Sequence, residues 1–247
     1  MRARKSLTRH EMKQDELVSW ATRVFVWIEE NSTTVLAGLG ALLVLVIGGV
    51  GATAWMHSRS DNAYRLLAQV QKAVRTPVAT ESDPNTHGEV FATSSERSNH
   101  IIESADQLLD AYSSGEAANW ARYYKAVALL DLGKADDAGN TAKEIIDRAD
   151  ADSMLAALAQ MVAAQAAEAK KDLTQAIDHY TAAAESGAAG FPPELGLLNE
   201  ARCLDELGRT QEAVAAYQKI LDDYPNSPLA ARAGKKLQEL RGTPQGS

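Results

Sequence analysis

The sequence predicts an all-α protein in which a single N-terminal transmembrane helix is followed by an α-solenoid. An uncharged apolar stretch covers residues 33–56, and a pattern of small and aromatic residues recurs after 38 and then 37 residues further along the chain. No segment shows the alternation of apolar and polar residues that is typical of a strand. Helices are therefore the only regular elements that the sequence predicts.

Composition limits the classes of function. The 247 residues include 25 Lys and Arg against 33 Asp and Glu, a net charge of −8, which argues against a nucleic-acid partner. Cys203 is the only cysteine and cannot form an internal disulfide, and the five histidines include no HxxxH or HxH pair. We therefore predict no metal, no cofactor and no redox site.

Residues 1–32 are predicted to form a basic cytoplasmic tail with an amphipathic helix. Residues 1–33 carry six basic and five acidic side chains, whereas the rest of the chain carries 19 and 28. Helical spacing of apolar side chains over residues 15–30 predicts a helix that leads into the apolar stretch. These side chains are Leu17, Trp20, Ala21, Val24 and Ile28.

The segment TTVLAGLGALLVLVIGGVGATAWM, residues 33–56, predicts the transmembrane helix. A helix of this length reaches roughly 36 Å, enough to cross a hydrocarbon core of about 30 Å. Trp27 and Trp55 bracket it, where aromatic rings favour the two membrane interfaces. A soluble core helix is the alternative. Ala52 and Ala54 form an A-x-A pattern, but the preceding region and the apolar run are both too long for a cleaved signal peptide.

The residues alone leave the orientation of this helix open. Within 19 residues of the apolar stretch the N-terminal side has only Arg23, and the C-terminal side has four basic residues. This local count favours a cytoplasmic C-terminal domain, yet long domains cross membranes largely regardless of charge and the extreme N-terminus is basic.

Small side chains recur along one face of the predicted span and form a narrow stripe. Such a stripe allows another helix to approach closely, so a membrane partner or self-association is one interpretation. The ordinary abundance of Gly and Ala in membrane helices is the other. The stripe consists of Ala37, Ala41, Val44, Gly48 and Ala52.

Residues 57–118 are predicted to form a juxtamembrane helical hairpin with helices over 60–74 and 95–112. The intervening segment 76–94 is rich in Pro, Thr and Ser, which predicts a flexible loop or a partner-binding segment.

Three helix pairs are predicted over residues 119–227. Small residues recur where the two helices of each pair approach most closely, and a larger side chain there would push them apart. The predicted contacts are Ala126 with Ala138, Ala164 with Ala176, and Ala201 with Ala213. Gly133 and Gly208 are predicted to end the first helix of their pairs in the left-handed conformation.

The C-terminal pattern predicts the end of the stack. Pro225 stops the last paired helix, and Ser227 and Pro228 are predicted to start a capping helix over 228–241, followed by a flexible tail over 242–247.

These marks resemble the tetratricopeptide repeat (TPR) over residues 119–227, which gives three TPR-like repeats. The last copy is specific, with the pattern G-x4-A-x3-Y-x2-I-x4-P that begins at Gly208. The middle copy departs from it, since Lys171 occupies the glycine position and Ala188 the proline position.

The order of the whole chain is similar to the YfgM-type ancillary subunits of the bacterial Sec translocon. It consists of a short basic tail, an amphipathic helix that ends WIEENSTTVLAG, one span, a helix and Ala-rich repeats. The resemblance implies a single-pass protein of the bacterial inner membrane, with a cytoplasmic N-terminus and a periplasmic C-terminal domain. It implies two partners, the SecYEG channel and a membrane-anchored prolyl-isomerase chaperone. The chain departs from the family in the 76–94 segment and in a longer repeat region.

By analogy with TPR folds, the first helix of each repeat lines a concave groove for a peptide or partner helix. The alternative is that these side chains form core beneath the helix at 95–112 or the C-terminal helix. The expected lining consists of Trp120, Tyr123, Val127 and Leu130, then Leu158, Met161 and Gln165, and finally Leu195, Leu198 and Arg202.

No constellation of residues predicts catalysis or a small-molecule substrate. His179 beside Asp178 is predicted to face solvent, and Cys203 is predicted to fill space in the core. Two hypotheses remain for a non-enzymatic protein. One is an accessory of the translocon and of the periplasmic chaperone network, and the other is a TPR scaffold or assembly factor for another cell-envelope complex.

Overall fold

The structure is a computed structural model, and it describes residues 20, 22–23, 25–27, 29–79 and 89–242. Within these residues the regular structure is helical, apart from one isolated parallel bridge between Val78 and Phe91. The all-α prediction is therefore confirmed for the described residues. The helices are α1 (Ser32–Arg75), α2 (Ser94–Ala111), α3 (Glu116–Asp131), α4 (Ala135–Ile146), α5 (Met154–Ala169), α6 (Leu173–Glu185), α7 (Pro193–Glu206), α8 (Thr210–Asp223) and α9 (Ala230–Gly242).

The chain divides into two units, Met1–Arg59 and Ser60–Ser247. In the first unit, Val44, Leu45, Val46 and Ile47 of α1 are each more than half exposed. The side chains of 35–43 and 50–57 lie outside the described residues. Among the residues that are described, no helix combines the length and the apolar character needed to cross a membrane. The span over 33–56 therefore stays a prediction.

Half of the residues of the predicted amphipathic helix over 15–30 lie outside the described residues, including Leu17, Ala21, Val24 and Ile28. Trp20 is described, and its side chain is exposed.

The second unit begins with the last part of α1, which packs on α2. Leu67 and Val70 of α1 are buried in one apolar cluster with Ile101, Ala105 and Leu108 of α2. The heptad-like spacing on both helices explains this contact, because it places these side chains on facing stripes.

The segment between α1 and α2 is tied at both ends. The Phe91 N–H donates to Pro77 O at 3.0 Å, and the Ala79 N–H donates to Phe91 O at 2.8 Å. Thr93 caps α2, since its hydroxyl accepts from the Glu96 N–H at 3.1 Å. Residues 80–88, the centre of the predicted loop, lie outside the described residues.

Helices α3 to α8 form three successive pairs, and α9 follows the last pair. The six residues predicted for the seams of these pairs all have an exposed fraction of 0 %, which confirms that they are buried. Two of the three predicted pairs lie in one apolar cluster, whereas Ala126 and Ala138 belong to two different clusters. Alanine at these positions allows the paired backbones to approach closely without a cavity. The residues are Ala126, Ala138, Ala164, Ala176, Ala201 and Ala213.

The three turns inside the pairs share one backbone conformation. Gly133 and Gly208 have φ of 73° and 74°, as predicted, and Lys171 has φ of 65° at the equivalent position. In each turn, the N–H of the residue that follows the left-handed position donates to a carbonyl of the first helix five residues earlier. Asp172 N–H, for example, donates to Ala167 O at 2.9 Å. The turn geometry therefore overrides the unfavourable side chain of Lys171.

The end of the stack differs slightly from the prediction. Helix α9 begins at Ala230, two residues after Pro228, because the Ser227 hydroxyl accepts from the Leu229 N–H and closes a separate turn. Helix α9 ends at Gly242, and residues 243–247 lie outside the described residues.

Candidate protein-interaction surface

The first helices of the three pairs, α3, α5 and α7, carry the side chains that were predicted to line a groove. On α3 all four of these side chains are partly exposed. Tyr123, Val127 and Leu130 pack against a buried cluster that joins α3, α4 and α5 and consists of Ala126, Ala142, Val162 and Ala163. The α3 positions therefore combine contact with the next repeat and access to solvent.

Trp120, Tyr123 and Tyr124 of α3 form an aromatic cluster. The ring centroids of Trp120 and Tyr123 lie 5.8 Å apart at 88°, and those of Trp120 and Tyr124 lie 6.1 Å apart at 31°. The rings of Tyr123 and Tyr124 lie 5.6 Å apart. Burial, and secondarily Tyr124, raises the pKa of Tyr123 above its ordinary value. These offset and edge-on geometries are favourable for aromatic pairs and hold the three rings together.

Tyr124 was not among the predicted groove residues. It lies four residues after Trp120, and this spacing places the two rings on one helix face. The spacing of Trp120 and Tyr124 in the sequence was therefore enough to place Tyr124 beside Trp120.

The predicted residues of α5 and α7 divide into core and surface. Met161 and Leu198 are only 6 % and 5 % exposed and lie in the apolar core that runs from α5 to α9. Leu158 and Leu195 pack partly buried against the same core, whereas Gln165 is exposed. For Met161 and Leu198 the structure thus shows the core environment that the sequence analysis left open.

Arg202 links α7 to α5. Its guanidinium forms an ion pair with Glu168, and its second nitrogen lies 4.0 Å from Glu206 Oε2. The Cys203 thiol donates to the same Glu168 carboxylate, with Sγ 2.6 Å from Oε1. The Glu168 carboxylate therefore interacts with two side chains of the adjacent repeat. The Arg202 guanidinium is partly occupied by contacts within the protein.

Burial raises the pKa of two side chains near Glu168, those of Cys203 and Tyr180. It raises the pKa of the Cys203 thiol to about 12, with further contributions from the hydrogen bond to Glu168 and its charge. Burial also raises the pKa of Tyr180 above its ordinary value, and the Glu168 charge adds to this. Both groups therefore stay neutral near pH 7, and Cys203 fills the core as predicted.

Arg122 of α3 is a buried charge that the sequence analysis did not identify, with an exposed fraction of 5 %. Its guanidinium donates to Glu144 of α4 at 3.1 Å, to Asn119 at 3.2 Å and to the Ser113 carbonyl at 2.7 Å. Three acceptors offset the cost of burying the charge, so Arg122 fixes α3 against α4.

The connection between α4 and α5 lies beside the aromatic cluster. Ala149 packs in one apolar cluster with Trp120 and Tyr123, together with Ile145 and Leu155. The Ser153 hydroxyl caps α5 by accepting from the Ala156 N–H at 3.2 Å. The carboxylates of Asp150 and Asp152, on either side of Ala151, are exposed.

The predicted stripe in residues 37–52 is only partly described. Val44 and Gly48 are exposed, and the side chains of Ala37, Ala41 and Ala52 lie outside the described residues. A membrane-helix contact at this stripe stays a prediction.

The histidine of α6 has a neighbour on another helix. His179 Nδ1 lies 2.7 Å from Gln160 Oε1 of α5, and burial lowers the pKa of His179, which opposes protonation. The predicted solvent-facing position is thus only half right, because the ring is half-buried. Among the described residues no group of three His, Cys, Asp or Glu is placed to hold a metal ion.

The paired helices, buried alanine seams and recurrent left-handed turns define a repeat protein in which each repeat is two helices joined by a short turn. Residues 125–191 and residues 196–227 each match a family described as tetratricopeptide repeat. The chain therefore contains TPR repeats, and such repeats mediate contacts between proteins. No curated protein matches the chain significantly.

Proposed function

We propose that this protein is a membrane-anchored interaction module without enzymatic activity, located at the periplasmic face of the bacterial inner membrane. In this proposal it is accessory to the Sec translocon and the periplasmic chaperone network. The stack of TPR repeats is the observation that carries the proposal, since it supplies rigid helix faces for other proteins.

The anchor rests on the uncharged sequence over 33–56. Apolar side chains exposed on α1 support it, because contiguous exposed apolar surface is unfavourable in water and typical of contact with protein or lipid. In this proposal the N-terminus is cytoplasmic and the TPR repeats are periplasmic, as in the family that the chain order resembles.

Fractionation tests the anchor. The protein should stay in the membrane pellet after extraction at alkaline pH, and a Val46→Arg/Ile47→Arg variant should move to the supernatant, because charges at the centre of a span are costly. Ala182→Arg/Lys219→Arg, on exposed positions of α6 and α8, serves as the control and should stay in the pellet. A wild-type protein that is extracted completely contradicts the anchor.

Co-purification tests the partners. Tagged protein solubilised in a mild detergent should retain the SecYEG channel and a membrane-anchored periplasmic chaperone. Recovery of another envelope complex in their place would favour the alternative function, a TPR scaffold or assembly factor. A C-terminal reporter that is active only in the periplasm tests the orientation separately.

A further inference from the structure

The aromatic cluster and the neighbouring α4–α5 connection together form one surface, which we call the aromatic–acidic surface. It consists of Trp120, Tyr123 and Tyr124 with the connection Asp147–Ser153. We propose that it binds a cationic segment of a partner protein in which Lys or Arg residues alternate with apolar residues. This inference rests on the proposed function, in which the TPR repeats bind proteins, and it names the chemistry of the partner.

The aromatic rings provide the anchor. Trp120 and Tyr123 pack against the buried cluster of Ile145, Leu155 and Ala159, and all three rings are partly exposed. Trp and Tyr are enriched among the residues that dominate binding energy, and rings already fixed by packing lose little freedom when a partner arrives. The surface is thus arranged for contact before any ligand binds.

Charge complementarity selects the ligand. The connection over 147–153 contains three Asp and one Arg. Asp147 is neutralised by Lys143 at 2.9 Å. Asp150 and Asp152 have no ion-pair partner within the part of the chain that the structure describes. Arg148 is exposed as well and offsets one of these two carboxylates. With Asp147 paired to Lys143, the connection keeps a net charge of −1, and its Ala149 packs in the same cluster as Trp120 and Tyr123.

Both parts of the surface favour a cation. The face of an indole ring attracts ammonium and guanidinium groups, and the two carboxylates attract the same groups. The wider field agrees, since residues 119–227 carry 10 basic and 18 acidic side chains. Such a field attracts basic segments over a distance and disfavours acidic ones.

Peptide binding to the full-length protein tests this inference. The probes are fluorescein-labelled peptides of alternating Lys and Leu, and matched peptides of alternating Glu and Leu. Fluorescence anisotropy is measured with the protein in a neutral maltoside detergent, with protein-free micelles as the blank. We expect saturable binding of the Lys peptide above the blank and no saturable binding of the Glu peptide.

Three variants locate the site. Asp150→Asn/Asp152→Asn and Trp120→Ala should each weaken binding of the Lys peptide by about tenfold, which corresponds to the loss of one cation–π contact or of two close charges. Asp222→Asn/Asp223→Asn removes the same charge from the end of α8 and should change the affinity by less than about twofold. Circular dichroism checks that Trp120→Ala is folded; if it is not, the two Asn variants still decide the question, because all four of their carboxylates are exposed.

The inference is overturned if neither peptide saturates the protein, if the Glu peptide binds as well as the Lys peptide, or if both Asn variants weaken binding equally. The co-purification experiment separates this failure from that of the proposed function. If the translocon components co-purify but the protein shows no preference for the Lys peptide, the proposed function is supported and the inference is contradicted. If the protein prefers the Lys peptide but the translocon components do not co-purify, the inference is supported and the proposed partners are contradicted.

Discussion

At the residue scale, the most informative positions are those occupied by a residue that the local backbone conformation disfavours. Lys171 adopts a left-handed backbone that its two counterparts, Gly133 and Gly208, adopt without a Cβ. The hydrogen bonds of the turn hold Lys171 there at an energetic cost. The middle repeat thus contains a local strain that the outer repeats do not.

Replacement of Lys171 by Gly should therefore stabilise the protein. We expect the free energy of unfolding to rise by about 1 kcal/mol, because Gly removes the left-handed penalty of roughly 1–2 kcal/mol but increases the entropy of the unfolded chain. Thermal unfolding followed by circular dichroism measures the change.

Gly208→Ala is the matched control for Lys171→Gly. No heavy atom lies within 4 Å of the Cβ that it would add, so its expected loss of about 1 kcal/mol comes from the backbone alone. A melting temperature that falls for Lys171→Gly would contradict the strain at Lys171.

Cys203 gives a prediction with a pH dependence. Its thiol has a pKa of about 12 in the fold against an ordinary value of 9.0. The native state therefore holds this proton more tightly than the unfolded state. The resulting stabilisation is fully present below pH 9 and is lost as the pH rises from 9 towards 12.

The thiol should accordingly be unreactive in the native protein. At pH 8 we expect a maleimide to label Cys203 only in denaturant, because the reactive thiolate is scarce and the side chain is buried. Mass spectrometry counts the adducts. Complete labelling within minutes without denaturant would show that the α5–α7 contact opens readily.

At the scale of elements, one close approach sets the distance between α6 and α7. A Cβ at Gly196 of α7 would lie 2.8 Å from the Tyr180 carbonyl oxygen and 2.9 Å from Ala184 Cβ of α6. The backbone of α6 is therefore in direct contact with α7, and only Gly fits.

Gly196→Ala should destabilise the protein by about 1–3 kcal/mol, because the helices must separate to admit the methyl group. Urea unfolding measures the loss. Gly139→Ala in α4 is the matched control, since its Cβ would meet Ala166 Cβ at an ordinary 3.5 Å. There Ala should raise helix stability by up to about 1 kcal/mol. Equal effects at the two positions would contradict the close approach.

At the scale of the whole molecule, one apolar core runs continuously from α5 to α9. Adjacent repeats share side chains in it, so a stack of this kind unfolds cooperatively when the interfaces between repeats are strong.

Ala164→Leu, in the seam between α5 and α6, tests this continuity. Overpacking should cost about 1–3 kcal/mol and shift a single unfolding transition to lower temperature. Ala182→Leu, on the exposed side of α6, should leave the transition nearly unchanged. A new early transition with the main one unshifted would show that the repeats melt independently.

Much of the architecture could be predicted because its causes are local. The left-handed turns at Gly133 and Gly208 and the alanine seams follow from residues less than 15 positions apart, and each repeat restates them. The start of α9 was missed by two residues because the Ser227 side chain closes a turn of its own before the helix begins.

By itself the sequence determined the helical character of the described residues, the three pairs and the buried alanines between their helices, because helix pairing depends on short-range spacing and on residue size. Only the tertiary structure decided which groove candidates are open. Trp120 and Tyr123 stay partly exposed while Met161 and Leu198 are buried. It also decided that Arg202 pairs with Glu168, 34 residues away, and that Arg122 is buried against Glu144, 22 residues away. The exposure of the groove candidates and the Arg202–Glu168 pair depend on how successive repeats stack, since the spacing within one repeat does not specify which of its faces the next repeat covers. Arg122 and Glu144 lie instead on the two helices of one pair, so their contact depends on how α3 packs on α4.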